Sequence, residues 1–237
     1  MSREPAQNNL GRVIYACDIG STRAKPGKLP KFAWAKVEPE TNPDMVGSSD
    51  IRALAAEIEK DLGRGYSVAL GFEAPLFLPV PESADDLSRG RQGEGNRSFA
   101  APPGAAVATL GTHQAAWLLR RLSLSCDGTC AFTLDPKEWP SLSSRPMLFC
   151  WEAFVAGVAH STSEEHAHIQ DAATAAIAFL ENEHCLTNAN AVTTEQPFSL
   201  IGAVALWSGW TSNLQALYEP TLVIKPTVPY EGPISIV

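Results

Sequence analysis

Twice in this chain an apolar run ends in a carboxylate and then breaks. Val13 to Cys17 leads into Asp18, and Gly20, Ser21 and Thr22 follow at once. Val68 to Phe72 leads into Glu73, with Ala74 and Pro75 behind it. Short apolar runs closed by Gly or Pro signals read as buried central strands. A carboxylate at the carboxyl end of such a strand sits where a sheet meets solvent, the usual place for chemistry in α/β folds. The repeated pattern predicts an α/β fold with two acids on one rim of its sheet.

Composition narrows the classes. The chain has 237 residues, 45% of them hydrophobic and 19% charged, which suits a globular protein with a sizeable core. Neither an internal repeat nor a clear linker interrupts it, so one domain over 12–219 is expected. A disordered lead over 1–11 precedes it, and a proline-rich tail over 220–237 packs on it in extended form. The net charge of −8 argues against broad attraction to nucleic acid or an anionic membrane, and leaves room for a local basic patch. No stretch approaches the ~20 apolar residues of a membrane span, and the start of the chain is polar, so a cytoplasmic protein with no membrane partner is expected. Five cysteines form an odd set that suits reduced thiols better than a disulfide framework. Cys126 and Cys130 are spaced C-x3-C without a second close pair, which leaves a loop with reduced thiols as the alternative to a zinc site.

Local signals order the elements. Lys31 to Val37 alternates, with Phe32 and Trp34 on one side and Ala33, Ala35 and Val37 on the other, and predicts a strand paired antiparallel with the first in a hairpin. Ser48, Ser49 or Asp50 caps a helix from Ile51 to Leu62. The segment from Pro79 to Gly104 is too long and polar for a plain connection. It is expected either to bind substrate through Arg89, Arg91 and Arg97 or to be a solvated excursion. A helix from Gly104 to Leu122 buries Leu110, Ala115, Trp117, Leu118 and Leu122. The region from Gly128 to Pro140 is mostly loop with room for a short strand. Met147 to Trp151 reads as a further strand that ends in a third acid, Glu152. Ser161 or Thr162 caps a last long helix from Ser163 to Asn182, while Ser199 to Trp207 fits a strand or a helix.

On that last long helix, Glu164, His168 and Asp171 are spaced four and three apart and share one face. Ala172, Ala173, Ala176 and Phe179 offer an apolar face for the sheet. Asp18, Glu73, Glu152 and Asp171 are therefore candidate metal ligands, because clustered carboxylates need a neutralising cation. Oxygen donors select Mg2+ or Mn2+. Two such ions ~4 Å apart clamp the attacking and leaving oxygens of a phosphodiester. His166 and His168, with His160 or His184, offer imidazoles for a transition metal, the alternative being surface histidines on a polar helix. Arg91 and Arg97 are candidates to hold a substrate phosphate through bidentate hydrogen bonds. Trp207 and Trp210 read as core or partner contacts.

In these features the chain resembles a ribonuclease H-like domain of the branch that includes Holliday-junction resolvases and related prokaryotic families. The resemblance rests on Asp18 in the opening strand, Glu73 after Gly71 and Phe72, and His168, Asp171, Ala172 and Ala173 on the late helix. It covers roughly Val13 to Leu180. It implies a mixed five-stranded sheet that opens with an antiparallel hairpin and is flanked by helices. It also implies a metal-dependent nuclease or phosphodiesterase acting on nucleic acid or a small phosphate ester. Asp18, Glu73, Asp171 and His168 would be its catalytic residues, and Glu152, ahead of Phe154, has a counterpart in some of those families. Asp18 to Thr22 is also similar to the first phosphate loop of actin-like ATPases and sugar kinases, which implies Ser21 and Thr22 as phosphate-binding residues. A different class, a binding or scaffold module with idle carboxylates, is motivated by the net acidity.

Overall fold

A computed structural model describes residues 11–39, 45–139, 145–155 and 166–237. In chain order the elements are β1 (Arg12–Asp18), β2 (Ala33–Val37), β3 (Met45–Ser48), α1 (Ile51–Gly63), β4 (Ser67–Glu73), β5 (Phe77–Pro79) and α2 (Pro102–Cys126). There follow β6 (Ala131–Thr133), β7 (Met147–Ala153), α3 (Ala167–Asn182), β8 (Pro197–Ser199), α4 (Leu200–Ser208), β9 (Val223–Ile224) and β10 (Ile234–Ile236). One mixed sheet of eight strands runs in the order β10-β3-β2-β1-β4-β7-β6, with β9 beside β7. The chain opens with an antiparallel hairpin, β1 on β2, and β3 extends it antiparallel. On the other side β4 and β7 run parallel to β1.

Five strands were expected, and the sheet holds eight. The strands not foreseen, β3, β9 and β10, span four, two and three residues, at or below the length at which alternation can be read, whereas β6 fills the room left for a short strand after Gly128. Of the three, β9 and β10 come from the proline-rich tail, which is built into the sheet rather than laid over it.

Side-chain alternation divides the core into two layers. Val13, Tyr15 and Cys17 of β1 and Val68, Leu70 and Phe72 of β4 face one way, against Leu54 and Ile58 of α1, Leu118 and Leu122 of α2, and Ile201 and Val204 of α4. Ile14, Ala16 and Ala69 face the other way, against Ala172, Ala173, Ala176 and Phe179 of α3. The alanines let the α3 backbone settle close over β1 and β2, and Phe179 packs on Trp151 with ring centroids 4.8 Å apart.

Helix ends follow local chemistry. Asp50 caps α1, its side chain accepting from the Arg52 amide at 2.8 Å. The ambiguous stretch after Ser199 is a helix, because the Ser199 hydroxyl accepts from the Gly202 amide at 3.1 Å and so supplies an N-cap. Helix α2 runs longer than expected at both ends and leaves Trp117 42% exposed, so that ring is not a core residue. Helix α3 begins at Ala167, with His166 in a non-helical conformation ahead of it. The expected caps Ser161 and Thr162, and Glu164 and His160, lie outside the described residues. Among the described residues no helix is long and apolar enough to cross a membrane.

Candidate metal centre

Register brings the first two acids together. Strands β1 and β4 run parallel with Asp18 directly beside Glu73, so their backbones are about 4.8 Å apart. Both residues follow one that faces α1 and α2, Cys17 and Phe72 respectively. Alternation therefore turns both carboxylates toward α3, at the carboxyl rim of the sheet.

Helix α3 supplies the other half. His168 and Asp171 are three residues apart and share the face that meets this rim. His168 Nδ1 lies 2.5 Å from Asp18 Oδ2. One ligand atom each from Asp18, His168 and Asp171 lies within 4.8 Å of the others, a spacing that one cation can bridge. Among the described residues this is the one such group of three. Glu73 lies outside this trio but beside it, since the charges of Asp18 and Asp171 both act on its carboxyl.

The electrostatics are those of crowded anions out of water. Burial pushes the Asp18 carboxyl above its ordinary value, Asp171 adds to the rise, and the hydrogen bond and charge of His168 oppose it. Burial, then Asp18 and Asp171, push Glu73 well above its ordinary value, with Arg97 pulling the other way. The hydrogen bond to Asp18 raises His168, burial opposes that, and the charges of Asp18 and Asp171 add to it. The rim therefore retains protons where isolated carboxylates would be ionised, which is the condition a cation relieves.

Glu152 does not join this cluster. In the β4–β7 ladder it is Phe72 that pairs with Glu152, one position short of Glu73, so alternation sends the Glu152 side chain to the opposite face. There it is 1% exposed and held by Arg91, whose Nη1 and Nη2 donate to its two oxygens at 2.8 and 2.6 Å. The Leu76 amide also donates to it at 2.9 Å. Arg91 is thereby spent. Its Nε donates to Glu94 at 2.9 Å, its guanidinium stacks 4.4 Å from the Phe77 ring centroid, and it is 4% exposed. The expected substrate-binding role of Arg91 gives way to a structural one: it pins the long 79–104 segment onto the end of β7.

The remaining candidates are near the rim or apart from it. Arg97 is exposed and lines a cavity of about 330 Å3 with Glu73, Phe154 and the buried Arg91, Glu94 and Glu152. Ser21 and Thr22 are exposed at the turn after Asp18, and the Ser21 carbonyl accepts from the Lys31 and Phe32 amides. Gly20 is required there because a Cβ would lie 2.4 Å from the Lys31 backbone, a packing reason that calls for no phosphate. His166 precedes α3 without capping it, and His184 is exposed beyond its end.

Two residues at work here were not singled out from the sequence. Glu94 completes the Arg91 pair, and its three-residue offset from Arg91 was the available signal. Gln114 of α2 is buried and donates through Nε2 to the Gly20 carbonyl at 2.6 Å, fixing the turn behind Asp18. Comparison of the chain with protein-family models, with curated proteins and with solved structures found no match in any of the three.

Proposed function

We propose that the protein is a divalent-metal-dependent phosphodiesterase of the ribonuclease H-like kind, acting on a nucleic acid or a small phosphate ester. The observation that carries this reading is the convergence of Asp18, His168 and Asp171, with ligand atoms within 4.8 Å of one another and Glu73 on the adjoining strand. The central strand order β3-β2-β1-β4-β7, with acids ending β1 and β4, supports it further.

The donor set fits Mg2+ or Mn2+, since three carboxylates supply hard oxygens and one imidazole suits Mn2+ as well. Bound there, such a cation supplies charge neutralisation and lowers the pKa of water for attack on phosphorus. Asp18, Glu73 and Asp171 hold the site. His168 orients the Asp18 carboxylate through the proton shared between Nδ1 and Oδ2. Arg97, at the mouth beside Glu73, offers a guanidinium to the substrate phosphate. Scaffold modules with idle carboxylates have no need of this clustering, and the packing reason for Gly20 gives that turn a role without a phosphate.

Mn2+ titration of the metal-free protein is expected to give saturable binding that Asp171→Asn weakens by tenfold or more, about 1.4 kcal/mol. An unsaturable titration of the wild type defeats the reading. The raised groups also set a pH dependence. His168 contributes stability below ~6.5 that is lost as pH rises through its raised value. Asp18 and Glu73 are raised as well, so the native state holds more protons than the unfolded chain above ~4, and stability again falls as pH rises. Melts in EDTA should therefore show stability declining as pH rises from ~4 upward, and the gain on adding Mn2+ should be largest at the alkaline end, where protons no longer compete. Glu73→Gln should flatten that slope.

A further inference from the structure

The C-x3-C pair plays no part in the metal centre, and its surroundings are specific. Cys126 is the last residue of α2. Asp127 (φ 43) and Gly128 (φ 77) then turn the chain through the left-handed region, and Cys130 returns just ahead of β6. The two sulfurs lie 2.8 Å apart, with both cysteines free. A disulfide needs about 2.05 Å, so closure requires a movement of less than ~1 Å. The Thr129 hydroxyl donates to the Cys126 carbonyl at 2.5 Å and holds the turn in this form. Among the described residues no third ligand completes a zinc site with this pair.

We propose that Cys126 and Cys130 are a redox modification site that closes reversibly to an intramolecular disulfide when it meets a peroxide. Cys130 is the more accessible sulfur, and it attacks first. Its thiolate forms an S–O bond as the peroxide O–O bond breaks, giving a sulfenic acid and, from hydrogen peroxide, water. The Cys126 sulfur then attacks Cys130. The S–S bond forms, the S–O bond breaks, and the departing oxygen leaves as a second water with the Cys126 proton. Two thiols and one peroxide become one disulfide and two waters, with two electrons passing from sulfur to oxygen, and a dithiol reverses the step. The division of labour matches the local environment. Contact with Cys126, the Thr129 hydroxyl and the charge of Arg145 bring the Cys130 thiol down to about 7. Contact with Cys130, followed by burial, pushes Cys126 up.

The pair sits at the rim opposite the acids. Ala131 pairs with Met147, the first residue of β7, whereas Asp18 and Glu73 end their strands. The 25 residues of α2 span about 37 Å, so oxidation is readable without disturbing the metal site. Cys17 and Cys150 are buried in the sheet and serve as internal controls.

The test uses the reduced full chain, treated with hydrogen peroxide, alkylated, digested and mapped by mass spectrometry under non-reducing conditions. The expected product links residues 126 and 130, is lighter by two hydrogens, and disappears with dithiothreitol. In Cys126→Ser, Cys130 should pass on to sulfinic acid several-fold faster than in the wild type, because no resolving thiol is present. The proposal is overturned if both thiols of the wild type stay alkylatable at a peroxide dose that oxidises free glutathione. It is equally overturned if Cys130 over-oxidises at the same rate in both proteins. The wild-type map decides the first point even where the variant fails to fold.

Discussion

Arg91→Ala should cost roughly 3–5 kcal/mol of stability, the penalty for stranding a buried charge. At ~2–4 °C per kcal/mol for a chain of this size, the melting temperature should fall by about 6–20 °C. The reason is stoichiometric. Arg91 is the cation shared by Glu152 and Glu94, both almost fully buried, and its removal leaves two carboxylates in the core with only backbone amides as donors. Arg91→Lys should recover only part of the loss, because an ammonium cannot reproduce the fork that reaches both Glu152 oxygens. Replacing the whole set together, Arg91→Met with Glu152→Leu and Glu94→Leu, should be much milder than Arg91→Ala alone. Urea unfolding of the four proteins measures this. A loss under about 1 kcal/mol for Arg91→Ala would show that the triad is no structural anchor.

On the proposed function, Asp18→Asn should lower metal-dependent phosphodiester hydrolysis by about a thousandfold, roughly 4 kcal/mol of transition-state stabilisation. Asp18 joins the two halves of the centre: it is bonded to His168 on the helix and sits beside Glu73 on the sheet. An amide keeps the shape and removes the charge. Stability without metal should change by less than about 1 kcal/mol, since the lost attraction to His168 is offset by relief of repulsion toward Glu73 and Asp171. Glu152→Gln separates site from scaffold. It should weaken the fold and leave Mn2+ affinity unchanged, because that side chain lies on the other face of the sheet. Hydrolysis of bis-(p-nitrophenyl) phosphate in Mn2+ reads the first effect. Unchanged turnover in Asp18→Asn would remove the metal centre from the chemistry.

The features legible in the sequence were those set by short-range rules. Alternation over Lys31 to Val37 gave β2, which starts two residues later at Ala33, a side-chain cap gave the start of α1, and the apolar run before each acid gave the ends of β1 and β4. The three-residue spacing of His168 and Asp171 was enough to place both on one face of α3. What could not be read depends on partners distant in the chain. Glu152 follows an apolar run as Asp18 and Glu73 do, yet β7 continues one residue past it to Ala153, and whether an acid faces α3 or α2 turns on a single step of register between β4 and β7 that no local pattern carries. Arg91 looked available in a polar, glycine-rich segment, and its partner lies 61 positions later. Lys36, alternating with the apolar residues of β2, has its shortest ion pair with Asp61, 2.8 Å away on α1, besides Glu38 at 3.0 Å and Glu57 at 3.6 Å.

Helix α3 carries two of the four candidate ligands, and its alanine face lies over β1 and β2. Lifting it from the sheet would take His168 and Asp171 away from Asp18 and Glu73 in the same motion. A bound cation would then act as a rivet between helix and sheet, and its binding energy would appear as slower opening of that layer. At a hundred times the dissociation constant this amounts to about 2.7 kcal/mol, or roughly hundredfold slower amide hydrogen exchange along α3 if the helix exchanges by lifting away. Occupancy of the centre would thus be recorded in the backbone of the helix even when no substrate is turned over.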